Sequence, residues 1–125
     1  MIRTPWYRAG LIALVVCIIV PLVTTACVVP TLPETVPLHF DFEGNVNRWG
    51  SRWELFAVGG IMAAVNLLVL VCYVKAEALK RYGLLSAPGR NEVRNGRIGL
   101  VISGVFIVIV HIAVLALVAS NAVGA

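Results

Sequence analysis

Three long apolar stretches, separated by two polar ones, make up this chain. The first stretch covers residues 9–29 without a charged side chain, the second covers about 53–75, and the third about 97–120. A helix of about 20 residues crosses a hydrocarbon core of about 30 Å. The pattern therefore predicts an all-α membrane protein with three transmembrane helices, forming a single domain over residues 1–125.

The composition agrees with this prediction. Hydrophobic residues make up 60% of the chain and charged residues 13%, whereas soluble domains average about 45–50% and 25%. A soluble chain of this length could not bury so much apolar surface. The lipid bilayer is therefore the first expected partner.

The first helix contains Pro21, which lacks a backbone N–H, so we expect a kink there. The hydroxyls of Thr24 and Thr25 are expected to bond the carbonyl groups that this proline frees. The same segment also resembles a lipoprotein signal ending at Cys27. A retained helix is preferred because Thr24 stands where lipoproteins carry an aliphatic residue, and because the apolar run exceeds the usual 7–15 residues.

Residues 30–52 form a polar window in which three prolines, Pro30, Pro33 and Pro37, prevent a continuous helix. From residue 36 to 42 the chain alternates, which is typical of a strand with one apolar face. The predicted apolar face contains Leu38, Phe40 and Phe42, and the opposite face contains His39 and Asp41. Residues 43–45 should form a turn around Gly44, and 46–49 a returning strand. An isolated hairpin is only marginally stable, so its apolar face should lie on the helix ends or the membrane surface.

Local signals place the ends of the second and third helices. Ser51 and Glu54 have the spacing of a capping box at the start of the second helix. That helix is expected to extend past the membrane to residue 82, where Gly83 ends it. Asn91 is expected to cap the third helix.

The charges predict the orientation. Eight Lys and Arg residues lie at the amino terminus, as Arg3 and Arg8, or in the loop over residues 75–97, and only Arg48 and Arg52 lie in the polar window. Basic residues collect on the cytoplasmic side. We therefore expect a bacterial cytoplasmic (inner) membrane protein with a cytoplasmic amino terminus, and with the polar window and the carboxyl terminus outside. Nucleic acid is not an expected partner, because the basic residues border apolar stretches and do not form a stripe.

Two polar residues, Asn66 and His111, lie near the middle of the second and third helices. An ionisable group in a membrane suggests function, such as a proton relay or part of an oligomeric transporter or channel. We favour packing, in which a neutral His111 bonds Thr24, Thr25 or Asn66, because no helix carries an acidic partner for it. The small-residue pairs Gly60–Ala64 and Gly99–Ser103 likewise predict close helix contacts.

No enzymatic motif is present in the sequence. The three cysteines, Cys17, Cys27 and Cys72, form neither a C-x-x-C pair nor a disulfide framework. His39, Asp41 and Glu43 would suit a divalent metal if they shared a face, but strand alternation alone puts polar residues on the solvent side. We therefore predict a protein that is not an enzyme and has no cofactor and no metal site.

The polar window resembles a known family. Its segments Leu32-Pro33, Val36-Pro37-Leu38-His39-Phe40, Gly44 and Trp49-Gly50-Ser51-Arg52 are similar to DUF1648, a domain that follows a first membrane helix and forms the amino-terminal part of SdpI-type immunity proteins. Asn47 stands where the family usually has Asp, Arg52 where it has Lys, and SdpI-type proteins have more membrane helices.

This resemblance covers about residues 10–75 and implies binding rather than catalysis. We expect an immunity-like, sensor or accessory protein that binds a protein or peptide through the extracytoplasmic loop, either as a homo-oligomer or as a subunit of a complex. The expected recognition residues are Pro33, Pro37, His39, Phe40, Asp41, Gly44, Trp49 and Gly50.

Overall fold

Three long helices and one β-hairpin form the described part of the chain, which in this computed structural model covers residues 4–87 and 89–123. The helices are α1 (Pro5–Val28), α2 (Glu54–Val74) and α4 (Glu92–Val123), with a short α3 (Ala76–Arg81) after α2. The hairpin consists of β1 (Thr35–Phe40) and β2 (Val46–Ser51) and lies between α1 and α2. Arg3 lies outside the described residues.

Three helical segments are long and apolar enough to cross a membrane. They contain 27, 21 and 31 residues, the first including a 3-10 turn at Val29–Thr31. At most 28% of the most apolar part of each segment is buried inside the bundle. The remaining apolar side chains therefore face outward, as they do where hydrocarbon replaces water. The prediction of three such helices with a hairpin between the first two is confirmed, although two strands make the fold less than wholly helical.

The hairpin lies on one end of the bundle, called here the hairpin end. Val36 of β1 is fully buried in a cluster with residues that follow α1 and with residues from the ends of α2 and α4. That cluster contains Val29, Leu32, Val36, Leu55, Leu115, Val118 and Ala122. Leu38 and Phe40 pack against it. The helix ends thus supply the apolar support that two strands lack on their own.

The turn of the hairpin begins earlier than the alternating pattern predicts. Asp41 Oδ1 accepts hydrogen bonds from the backbone N–H groups of Glu43 (2.9 Å) and Asn45 (2.8 Å). Gly44 has a φ of 86°, which favours glycine. Because β1 ends at Phe40, Phe42 lies in the turn and is fully exposed. The prediction that Phe42 shares the apolar face is therefore wrong.

The predicted helix signals act at the positions expected of them. Glu54 Oε2 accepts the Ser51 N–H (2.9 Å), which is one half of a capping box, while Ser51 Oγ accepts from the Trp53 N–H (3.3 Å). Asn91 Oδ1 accepts the Arg94 N–H (2.9 Å) at the start of α4. The extension after α2 is helical but interrupted at Lys75, so α3 is a separate short helix.

Candidate functional site

A groove at the hairpin end brings part of the expected recognition window together. It has a volume of about 440 Å³ and is called here the hairpin groove. Its walls come from β1, β2, α2 and α4. The lining residues are Leu38, His39, Phe40, Arg48, Glu54, Leu55, Ala57, Val58, Val114, Leu117 and Val118. Most of these side chains are apolar, and the charged or titratable ones come from β1, β2 and the first residue of α2.

An ion pair lies among the lining residues of the hairpin groove. Arg48 Nη2 is 2.9 Å from Glu54 Oε1, and the two side chains are 57% and 45% exposed. The other oxygen of Glu54 accepts the Ser51 N–H, so the carboxylate is held at the start of α2. An exposed pair contributes only about 0–1 kcal/mol to stability. A bound charged group could therefore replace either partner at small cost.

His39 also lines the hairpin groove, and its ring is oriented by β2. Its Nδ1 hydrogen-bonds Oδ1 of Asn47. Because an amide oxygen only accepts, Nδ1 carries the proton of this hydrogen bond. Asn47 is the residue that stands where the resembling family usually has Asp, and here its side chain orients the His39 ring.

The structure does not assemble His39, Asp41 and Glu43 into a metal site. Asp41 is occupied by the turn, and His39 by Asn47. Within residues 4–87 and 89–123, no group of three or more His, Cys, Asp or Glu side chains is arranged to hold a metal ion. The His39 and Asp41 side chains instead take part in the hydrogen bonds of the hairpin.

The other expected recognition residues shape the hairpin and do not line the groove. Pro37 is buried and pairs with the half-exposed Trp49 across the strands. Gly50 pairs with Val36, and a Cβ atom at Gly50 would collide with Glu54 and Leu38. Of the eight expected residues, His39 and Phe40 line the groove, while six lie elsewhere in the window: Pro33, Pro37, Asp41, Gly44, Trp49 and Gly50.

Asn66 connects α2 to α1 in the middle of the bundle. Its Nδ2 donates to the backbone oxygen of Cys17 (2.9 Å), and this contact is buried. Cys17 lies four residues before Pro21, so its oxygen is the one that the proline leaves without a helical donor. Thr24 and Thr25 instead donate to the oxygens of Val20 (2.7 Å) and Pro21 (2.6 Å). The expectation that these threonines bond the freed carbonyl is therefore wrong.

His111 connects α4 to α1 at a position nearer the hairpin than the contact between Asn66 and Cys17. Its ring is fully buried, and Nε2 is 3.0 Å from Thr25 Oγ1. The Thr25 hydroxyl already donates its only proton to Pro21, so Nε2–H donates to Thr25. Thr25 is one of the three partners expected for His111.

Asn66 and His111 do not form one polar cluster. They bind positions on α1 that are eight residues apart, which is about 12 Å along the helix. Among the described residues, Asn66 Oδ1 and His111 Nδ1 are buried and have no hydrogen-bond partner.

The close helix contacts use glycines other than Gly60 and Gly99, which the small-residue pattern suggested. A Cβ at Gly60 or Gly99 would meet no atom within 4 Å. A Cβ at Gly59 would lie 2.6 Å from Thr25 Oγ1, and one at Gly104 would lie 2.7 Å from Leu14 Cδ2. Gly60 and Gly99 therefore face away from the bundle, and the prediction of contacts through them within the chain is wrong.

A second cluster, which no sequence motif identified, lies at the opposite end of the bundle. Tyr73 donates its hydroxyl to the Tyr7 backbone oxygen (2.8 Å), and the two rings lie 5.1 Å apart. Arg97 is 5% exposed and covers the Tyr7 ring at 4.8 Å. In the sequence Arg97 counted only as a cation of the loop. The available signal was its position directly before the apolar run of α4, with two tyrosines at matching depth.

Comparison with known proteins supports the resemblance in the first half of the chain. Residues 16–63 match the model of the family described as "Domain of unknown function (DUF1648)". An uncharacterized protein of Archaeoglobus fulgidus is 36% identical over 64 residues, which cover 51% of this chain and 33% of that protein. The match thus spans about a third of the relative's length. No solved structure matches the chain significantly. The match runs from the middle of α1 through the hairpin to the middle of α2, so the predicted resemblance to DUF1648 is confirmed over residues 16–63.

Proposed function

We propose that this chain is a membrane protein that acts by binding a protein or peptide partner through its hairpin, as an immunity-like, sensor or accessory protein. The hairpin groove is the observation that carries this proposal. Its volume of about 440 Å³ lies within the range of about 300–1,000 Å³ that is usual for binding pockets. Like those pockets, it combines an apolar lining with a few oriented polar groups.

The lining of the hairpin groove suits recognition better than catalysis. Among the described residues that line it there is no Ser, Thr, Cys or Lys, the usual nucleophiles of covalent catalysis. His39 bonds an amide, and Glu54 bonds Arg48 and a backbone N–H, so neither is paired with a nucleophile. This lining supports the proposal of a binding role.

The groove also suggests how a partner is held. An apolar side chain of the partner would enter between Phe40, Val58 and Leu117. A charged group beside it would exchange with one member of the Arg48–Glu54 pair, whose exposure makes the exchange inexpensive. His39 Nε2 is the ring nitrogen that Asn47 does not bond, so it can face a polar group of the partner. This combination fits a segment of polypeptide that carries a large apolar residue next to a charge.

The test is native mass spectrometry of the tagged protein after mild detergent extraction. We expect the 13.4 kDa chain to carry a second protein in fixed stoichiometry. His39→Ala and the groove-filling Val58→Trp should remove that protein while membrane insertion stays normal. Phe42→Ala is the matched control, because Phe42 belongs to the same hairpin but is exposed outside the groove.

The results distinguish a partner that binds in the hairpin groove from one that contacts the hairpin as a whole. If His39→Ala and Val58→Trp keep the partner, the role of the groove is wrong. Trp49 lies outside the groove. If Trp49→Ala removes the partner as completely as His39→Ala does, the contact involves the whole hairpin. A bare homo-oligomer in every preparation would contradict an accessory role.

The proposed location is the bacterial cytoplasmic membrane, with the hairpin end outside. The distribution of eight cations against two supports this orientation. A partner at the hairpin would then reach this protein from the extracytoplasmic side.

An oligomeric transporter or channel component is the second candidate function. The favouring observation is that Asn66 Oδ1 and His111 Nδ1 are buried acceptors without partners in the described chain. Solute or proton flux in vesicles, suppressed by His111→Leu, would support it. Absence of flux in protein-containing vesicles would exclude it. The bonds of both side chains to α1 favour the packing role that underlies the first proposal.

A further inference from the structure

A second groove lies between α1 and α4 at the end of the bundle opposite the hairpin. It has a volume of about 620 Å³ and is called here the arginine groove. The lining residues are Trp6, Ala9, Gly10, Ala13, Tyr73, Arg94, Arg97, Ile98, Val101 and Ile102. Small residues of α1 form one wall and branched residues of α4 the other. The result is a long apolar surface with two guanidinium groups near one end.

Arg97 is held rigidly beside this groove. Its Nε donates to the backbone oxygen of Tyr73 (2.9 Å), and its guanidinium lies 4.8 Å from the Tyr7 ring and 5.7 Å from the Tyr73 ring. These contacts use one of its five N–H donors. Its terminal nitrogens make no hydrogen bond, and no carboxylate pairs with it, within the described part of the chain. A buried cation with unused donors needs an anion or water to complete its hydrogen bonding.

The charge of the lining favours an anion. Arg94 is the second cation of the groove, and no Asp or Glu is among the lining residues. Two guanidiniums offer the forked N–H geometry that binds phosphate oxygens in pairs. Arg94 contributes to α4 only through its backbone N–H, which Asn91 caps, so its side chain is available.

We propose that the arginine groove binds an anionic phospholipid. The phosphate lies at Arg94 and Arg97, and one acyl chain follows the apolar wall past Ala13 and Ile102. Arg97 stands at the beginning of the apolar run of α4, which is the depth of the lipid headgroups. Basic pockets between transmembrane helices are known sites for anionic headgroups. A soluble anion would leave the apolar length of the groove unused, whereas a lipid fills both parts.

Trp6 provides a direct test, because it lines the arginine groove and the other two tryptophans lie at the hairpin end. Trp49→Phe and Trp53→Phe leave Trp6 as the only fluorophore of its type. The protein is placed in vesicles of phosphatidylcholine and phosphatidylglycerol in which either one or the other lipid has brominated acyl chains. At equal mole fraction, brominated phosphatidylglycerol should quench Trp6 more strongly.

Variants identify the source of the preference. Arg94→Gln should lower the preference for phosphatidylglycerol over phosphatidylcholine, as reported by Trp6 quenching, roughly fivefold. This is the factor expected for one cation at a membrane surface. Ala13→Leu, which keeps every charge but fills the apolar wall, should also reduce it. Arg97→Lys should retain part of the preference, because the charge remains and only the forked geometry is lost. The matched control is Arg81→Gln with Arg90→Gln, which removes two charges from the same end of the bundle outside the groove.

Two results would overturn the proposal. Equal quenching by the two brominated lipids would show that the groove has no preference for the anionic one. An equal loss in the Arg81→Gln, Arg90→Gln control would show that general attraction of the loop, and not the groove, concentrates the lipid. Arg94→Gln leaves the contacts of Arg97 with Tyr73 unchanged, so the test does not depend on a variant that disturbs the helix end.

Discussion

The side-chain amide of Asn66 donates a 2.9 Å hydrogen bond to the backbone oxygen of Cys17. That oxygen lies four residues before Pro21 and cannot be bonded within α1, because proline has no N–H. An unpaired backbone oxygen in the middle of a membrane helix is costly. Asn66 removes this cost and at the same time fixes α2 against α1.

Asn66→Leu should therefore destabilise the bundle. The loss of an interhelical hydrogen bond, with a buried oxygen left unpaired, predicts a decrease of about 1–2 kcal/mol in the free energy of unfolding. The measurement is unfolding by sodium dodecyl sulfate in mixed micelles.

The control is the same substitution in a Pro21→Ala background. Alanine at this position supplies the N–H that the Cys17 oxygen lacks, so Asn66→Leu should then cost about 1 kcal/mol less. Additive effects of the two substitutions would contradict the coupling of Asn66 to the proline.

Two neighbouring glycines of α2 should respond differently to the same substitution. Gly59→Ala would place a Cβ 2.6 Å from Thr25 Oγ1, which accepts the hydrogen bond of His111. The helices must separate or Thr25 must turn, and we expect a loss of about 1–3 kcal/mol in the free energy of unfolding. Gly60→Ala meets no atom within 4 Å and should cost nothing. If Gly59→Ala and Gly60→Ala lower the free energy of unfolding equally in the same micelle assay, the face of α2 that packs against α1 is not the one described above.

The length of the apolar stretches and the prolines between them predicted the main elements. A run of 21 residues without a charge predicts a membrane helix. Pro30, Pro33 and Pro37 exclude a helix from the polar window. The hydrogen bond between Ser51 and Glu54 and the cap at Asn91 were predictable for a related reason. Each depends on residues within one turn, so sequence spacing is sufficient evidence.

The contacts between helices were not predictable, because a membrane helix is apolar on every side. No periodic pattern indicates which face of α2 meets α1, so Gly60 could not be distinguished from Gly59. The partner of the Cys17 oxygen is a residue 49 positions away, and the threonines were chosen only because they are near in sequence. The exposure of Phe42 depended on the side-chain hydrogen bonds of Asp41, which shorten β1 by two residues. Arg97 was also missed because of the unpredictable contacts between helices, since its burial depends on two tyrosines from other helices.

The two members of the ion pair at the hairpin groove should differ in their effect on stability. Arg48→Ala removes only an exposed pair and should cost less than about 1 kcal/mol. Glu54→Ala also removes the acceptor of the Ser51 N–H at the start of α2, so it should lower the unfolding temperature more than Arg48→Ala does. Thermal unfolding of both variants in detergent checks the order. A larger cost for Arg48→Ala would mean that the capping bond contributes little.

The orientation of the bundle can be checked by cysteine labelling. With Cys17, Cys27 and Cys72 replaced by alanine, Glu43→Cys marks the turn of the hairpin and Ser86→Cys marks the opposite loop, and both positions are exposed. Because eight of the ten cations lie in the amino-terminal segment or in the loop over residues 75–97, a membrane-impermeant maleimide should label the first variant on intact spheroplasts. The second should react only after the membrane is opened. The reverse pattern would put the hairpin in the cytoplasm and move the arginine groove to the outer leaflet. Both the partner proposed for the hairpin groove and the leaflet that supplies the lipid depend on this result.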